Sequence, residues 1–173
     1  MKNSPGGNIR FLLAAILLTF VLTDSAFAQT EKEIIKVRGE VAVINKGAPK
    51  YTKTTKNVED ISLEGTEATY YSAAGDVRKI TAKIYGESYN AAGEFYYLGG
   101  TLIFAYLKHN QYDAPIGTGK SPKVARTEER RFYFADGELI RLLIGKKILK
   151  SGDERHSRLK DEITGISSKL KSP

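Results

Sequence analysis

The sequence predicts an α+β fold: an antiparallel β-meander of about six strands, packed by an N-terminal helix and followed by a C-terminal helix. Three observations carry that prediction. Ile34, Val37, Val41 and Ile44 fall on one helical stripe. Alternation with a period of two begins at Glu67 and continues to about residue 145. Within it, a unit of aromatic strand, small-residue turn and aliphatic strand occurs three times, at Tyr70-Tyr71, Tyr96-Tyr97 and Phe132-Tyr133-Phe134. A chain of 173 residues has room for one ordinary domain.

Residues 1–28 read as a signal peptide. Lys2 and Arg10 precede an apolar run, Phe11 to Leu22, and the small-residue motif Ala26-Phe27-Ala28 predicts cleavage after Ala28. That run is shorter than the ~20 residues needed to cross a bilayer, so no permanent membrane span is expected after cleavage. The expected location is periplasmic or secreted. What remains divides into a single α+β domain, 29–150, and a basic C-terminal helix or tail, 151–173.

Thr30 and Glu33 form a capping box for a helix over about 31–46, which Gly47 and Pro49 end. A strand reading competes, because Ile35, Val37, Val41 and Val43 also alternate and Gly39 costs a helix interior ~1 kcal/mol. Residues 48–66 are a polar connector with a short edge strand around Tyr51 to Val58. In the first hairpin, Ile80, Ala82 and Ile84 share one face and Lys79, Thr81 and Lys83 the other. In the second, Leu102, Phe104 and Tyr106 are expected on one face and Ile103, Ala105 and Leu107 on the other. Both faces are apolar, so each needs a cover. The stretch from His109 to Arg126 is the longest connection and is rich in Gly and Pro. Ser151 and Glu154 then cap an amphipathic helix carrying Leu159, Ile163, Ile166 and Leu170.

The absence of Cys excludes disulfides, thiol nucleophiles, thiolate metal sites and a lipid-modified cysteine. The net charge of +7 is concentrated in residues 120–173, which hold 14 basic and 8 acidic side chains. Acids are interspersed throughout, as in a solvated surface, and no nucleic-acid partner is expected. His109 and His156 stand in no triad or metal-ligand spacing, so no catalytic residue, metal or cofactor is assigned. Gly117-Thr118-Gly119-Lys120-Ser121 lacks the first glycine of a phosphate-binding loop. The aromatic residues are the sharper signal, with ten Tyr and seven Phe. Most suit strand packing, whereas Tyr112, Tyr89 and Tyr97 with Lys83 and Arg131 are the candidate binding residues, Tyr112 foremost because it falls in the long loop.

The segments Thr69-Tyr70-Tyr71 to Glu87, Glu94-Phe95-Tyr96-Tyr97 to Phe104, and Thr127 to Arg141 together resemble a group of small exported bacterial proteins of unknown function. More loosely, they are similar to the hairpin repeats of MORN-type proteins. The first resemblance implies a helix, an antiparallel sheet and export, and brings no functional residues. The function expected is that of a non-enzymatic binding protein of the bacterial envelope, whose partner is an envelope protein, peptide or glycan. Two alternatives stand beside it: a hydrolase using Glu87 and Glu94 as a carboxylate pair on glycan or peptide, and a self-associating structural protein.

Overall fold

The computed structural model describes residues 8–119 and 121–171, with side chains from residue 28 onward. The expected signal peptide therefore falls largely outside the described side chains, and Lys120 lies outside the described residues. Two compact units are present, Met1–Lys36 and Val37–Pro173. The first carries most of helix α1, Asn8–Gly47. That helix does not begin at the Thr30 capping box. No Gly or Pro interrupts residues 8–38, so the apolar run and the amphipathic stretch join as one helix and Thr30 lies in its interior.

In the second unit the helical reading of residues 37–47 holds. Val37 and Ile44 are buried, while Val43 of the competing alternation is 62% exposed. Gly47 closes α1 because Tyr51 folds back on it; a Cβ there would lie 2.5 Å from the tyrosine hydroxyl. A single 3-10 turn containing Pro49 leads into the sheet.

The sheet has eight strands rather than six. They are β1 (Thr52–Val58), β2 (Thr66–Ala73), β3 (Asp76–Gly86), β4 (Tyr89–Leu98), β5 (Thr101–Tyr112), β6 (Val124–Ala135), β7 (Glu138–Ile144) and β8 (Lys147–Leu149). Each pairs antiparallel with the next, in chain order. β1 is the edge strand expected from the connector. β8 is three residues long, too short to show alternation in sequence.

Two-residue turns set the register. Ala74-Gly75, Gly99-Gly100 and Asp136-Gly137 all have positive φ at both positions, the turn whose twist matches that of the strands. Ala74 is the misfit, an alanine at φ 51. Ala74→Asn is expected to raise stability by ~0.5–1 kcal/mol, read as a higher urea midpoint at unchanged slope.

Each of these turns is followed by a β-bulge on the outgoing strand. The register skips Arg78 opposite Tyr71 and Ser72, Ile103 opposite Tyr96 and Tyr97, and Ile140 opposite Tyr133 and Phe134. The extra residue reverses the alternation. Leu102 therefore pairs with Tyr97 and Phe104 with Tyr96, so Leu102 and Phe104 lie on opposite faces, contrary to simple alternation.

On one face the row Ile80, Phe95, Ala105, Phe132 and Leu142 is almost wholly buried. Helix α2, Glu154–Lys171, covers it with Leu159, Ile163 and Leu170. Its N-cap is Asp153, whose carboxylate accepts from the Arg155 amide at 2.8 Å, not the expected Ser151. On the other face, Tyr96, Phe104 and Tyr133 form an aromatic row with ring centroids 5.7 and 4.9 Å apart. The second-unit part of α1 meets this row. Asn45 accepts from Lys79 and Tyr96 at 3.0 and 3.1 Å, and Arg38 lies over the Tyr133 ring.

Candidate functional site

The face under α2 changes character along the strands. One row is apolar throughout, the next runs Ala82, Gly93, Leu107, Arg130, and the one after that Ile84, Ala91, His109, Glu128. The small side chain of Ala91 leaves space beneath the helix there, and Gly165 on α2 adds no bulk from above. The result is a cleft of about 460 Å³ between the sheet and α2, with Ile84, Ala91 and Leu107 in its floor and Arg130, Asp161, Glu162 and Lys169 among its polar walls. That volume is in the range of small-ligand sites. A wider hollow of about 1070 Å³ adjoins it at Lys169, but the β1–β2 connection and the strand ends that flank it, residues 57–67, supply nearly all of its wall.

The Tyr89 ring stacks on His109 with centroids 4.9 Å apart and planes 15° off parallel. Its position depends on Gly86, where a Cβ would fall 2.2 Å from the ring. Burial, reinforced by the neighbouring Arg130 charge, holds the His109 imidazole below its ordinary pKa, so it is neutral near pH 7. The Tyr89 hydroxyl is pushed up by burial and then by Glu162. Neither side chain has a hydrogen-bond partner among the described residues, so both present free donors and acceptors to the cleft.

Behind this wall stands a buried ionic network. The Glu128 side chain, 8% exposed, accepts from Arg130 at 2.7 Å, Arg155 at 2.6 Å and Arg126 at 3.1 Å. Arg130 also bridges to Glu162 at 3.2 Å, tying β6 to α2. Burial acts against the Glu128 charge, but hydrogen bonds from Arg155 and Arg130 outweigh it and hold the carboxyl below its ordinary pKa.

The five residues singled out in the sequence do not form one surface. Tyr89 alone lines the cleft. Tyr97 is 1% exposed and bonds to Ser167 on α2 at 3.0 Å, and burial pushes its hydroxyl up to about 12; it is a core residue. Lys83 and Arg131 point from the opposite face, paired with Glu67 and Glu129 at 2.8 Å each. Tyr112 is not in the loop. It ends β5, where its hydroxyl accepts from Asn90 at 2.7 Å and its amide donates to Ser88 at 2.9 Å. Polar cross-strand bonds from Asn110 to Asn90 and from Thr127 to Asn110, both 2.8 Å, prolong the strands without apolar alternation, so the connection shrinks to residues 113–123.

The carboxylate pair is likewise separated. Glu87 sits in the β3–β4 turn and Glu94 lies inside β4, bonded to Lys79 at 3.1 Å and to Tyr96. At ~3.3 Å per strand residue they are on the order of 20 Å apart, whereas glycosidase carboxylates stand ~5–9.5 Å apart. Among the described residues no group of three or more His, Asp or Glu side chains can hold a metal, and no helix is long and apolar enough to cross a membrane. Period-two spacing places Arg126, Glu128, Arg130 and His109 on the cleft side of neighbouring strands. Only the pairing register, which sequence does not give, brings them together. No family model, curated protein or solved structure matches the chain.

Proposed function

We propose that the protein is an exported, non-enzymatic binding protein of the bacterial envelope, and that the cleft between the sheet and α2 is its ligand site. Export rests on the charged start, short apolar run and Ala26-Phe27-Ala28 motif. One observation carries the binding reading: an apolar-floored cleft of ligand size lined by a stacked Tyr89–His109 pair with unsatisfied polar atoms. The wide separation of Glu87 and Glu94 removes the carboxylate pair on which hydrolysis would depend.

The test is a plug. A Cβ at Gly165 meets nothing within 4 Å, so Gly165→Leu puts a side chain at the cleft wall while improving helix propensity by ~0.5–1 kcal/mol. Short peptides and amino-sugar oligosaccharides titrated into the full chain are expected to give saturable NMR shifts at Tyr89 and His109, absent in the plugged variant. Equal shifts in both proteins, or none in either, would overturn the assignment.

A further inference from the structure

Resting on that reading, we infer that the cleft is built for a short zwitterionic peptide, its ammonium toward Asp161 and its terminal carboxylate toward Lys169. The charges on the cleft walls divide into two classes. Arg130 and Glu162 are paired with each other at 3.2 Å and Arg130 also with Glu128, so each already has a partner of opposite charge. Asp161 contributes only its backbone carbonyl, to Thr164, and its carboxylate has no partner among the described residues. Lys169 donates to the backbone carbonyl of Asp60 and forms no ion pair among the described residues. One uncompensated negative and one uncompensated positive charge therefore border the same cleft.

Their spacing sets the length of the ligand. Asp161 and Lys169 are eight residues apart on α2, just over two turns, so they share a side of the helix ~12 Å apart. An extended peptide advances ~3.3–3.6 Å per residue, so three residues carry their terminal charges across that distance. Between the ends, the neutral His109 and the Tyr89 hydroxyl suit backbone amides, each able to donate and accept. The floor at Ala91 and Leu107 favours an apolar middle side chain. A single anion or cation would satisfy one end and leave the other bare. A neutral sugar would satisfy neither charge and would find the Tyr89 ring already stacked on His109 and packed over Gly86.

Isothermal titration of the full chain with Ala-Leu-Ala, its N-acetyl form and its C-terminal amide tests this directly. The free peptide is expected to bind, and each blocked form to bind about tenfold or more weakly. Asp161→Asn should erase the penalty for acetylation alone, and Lys169→Met the penalty for amidation alone, with circular dichroism confirming that both variants are folded. Equal affinity for free and blocked peptides, or no peptide binding, overturns the inference. The broader reading fails separately: amino-sugar binding that Gly165→Leu abolishes would keep the cleft as the ligand site while removing the peptide, whereas binding indifferent to Gly165→Leu would remove both.

Discussion

Ile163→Ala is expected to lower the unfolding free energy by ~3 kcal/mol, within the ~2–5 kcal/mol that large-to-small core substitutions cost. Ile163 is completely buried at the middle of α2, between Leu159 and Leu170, which are 4% and 0% exposed. These three side chains join the sheet residues in a single core, so truncation at the central one removes transfer free energy and leaves a cavity under the middle of the helix. Chemical denaturation should show the loss as a lower midpoint, while Ile148→Ala, at a residue 50% exposed on β8, should change it by less than ~0.5 kcal/mol. Because α2 forms one wall of the cleft, ligand affinity should fall with Ile163→Ala as well. A loss of stability under ~1 kcal/mol would mean that the helix does not hold the sheet.

The helical form of α2 was legible because its apolar residues recur at three and four positions, a period that no strand or loop produces, whereas its docking on the sheet was not. The hairpins were legible for a related reason: Gly-Gly and Asp-Gly are turn signals independent of packing. What failed was everything that depends on register. Leu102 and Phe104 look alike in sequence, and only the bulge at Ile103 sends one toward α2 and the other toward the aromatic row. Tyr112 reads as a loop residue because a strand end held by Asn90, Asn110 and Thr127 has no hydrophobic alternation to reveal it. The cleft was invisible for the opposite reason, since it arises where side chains are small, at Ala91 on β4 and Gly165 on α2, two segments far apart in the chain. Arg126, Glu128 and Arg130 were counted as solvated surface charges. Their alternation with Thr127 and Glu129 in fact puts all three on the α2 side, where Glu128 and Arg130 are buried and Arg126 reaches Glu128 from the exposed rim.

Glu128→Gln should cost about as much as the loss of Ile163, ~3 kcal/mol, and for an electrostatic reason. Removing one partner of a buried ion pair leaves the other charge desolvated and uncompensated. Here one carboxylate serves three guanidinium groups. Arg130, with its side chain 10% exposed, would keep only the longer bridge to Glu162. Arg155 would lose the bonds that fasten the first turn of α2 to β6. The comparison residue is Glu129, next in sequence but on the opposite face and 42% exposed; Glu129→Gln should cost under ~1 kcal/mol. Acid titration separates the two further. The Glu128 carboxyl is held below its ordinary range in the folded chain, so its contribution is fully present above the unfolded value near ~4.3 and is lost as the pH falls through the folded one. The wild-type midpoint should accordingly fall between pH 5 and strongly acid solution, and the gap between wild type and Glu128→Gln should narrow over the same range. A gap that stayed constant down to the acid limit would show that Glu128 acts through shape, not charge, and that the network beside the cleft is not what ties β6 to α2.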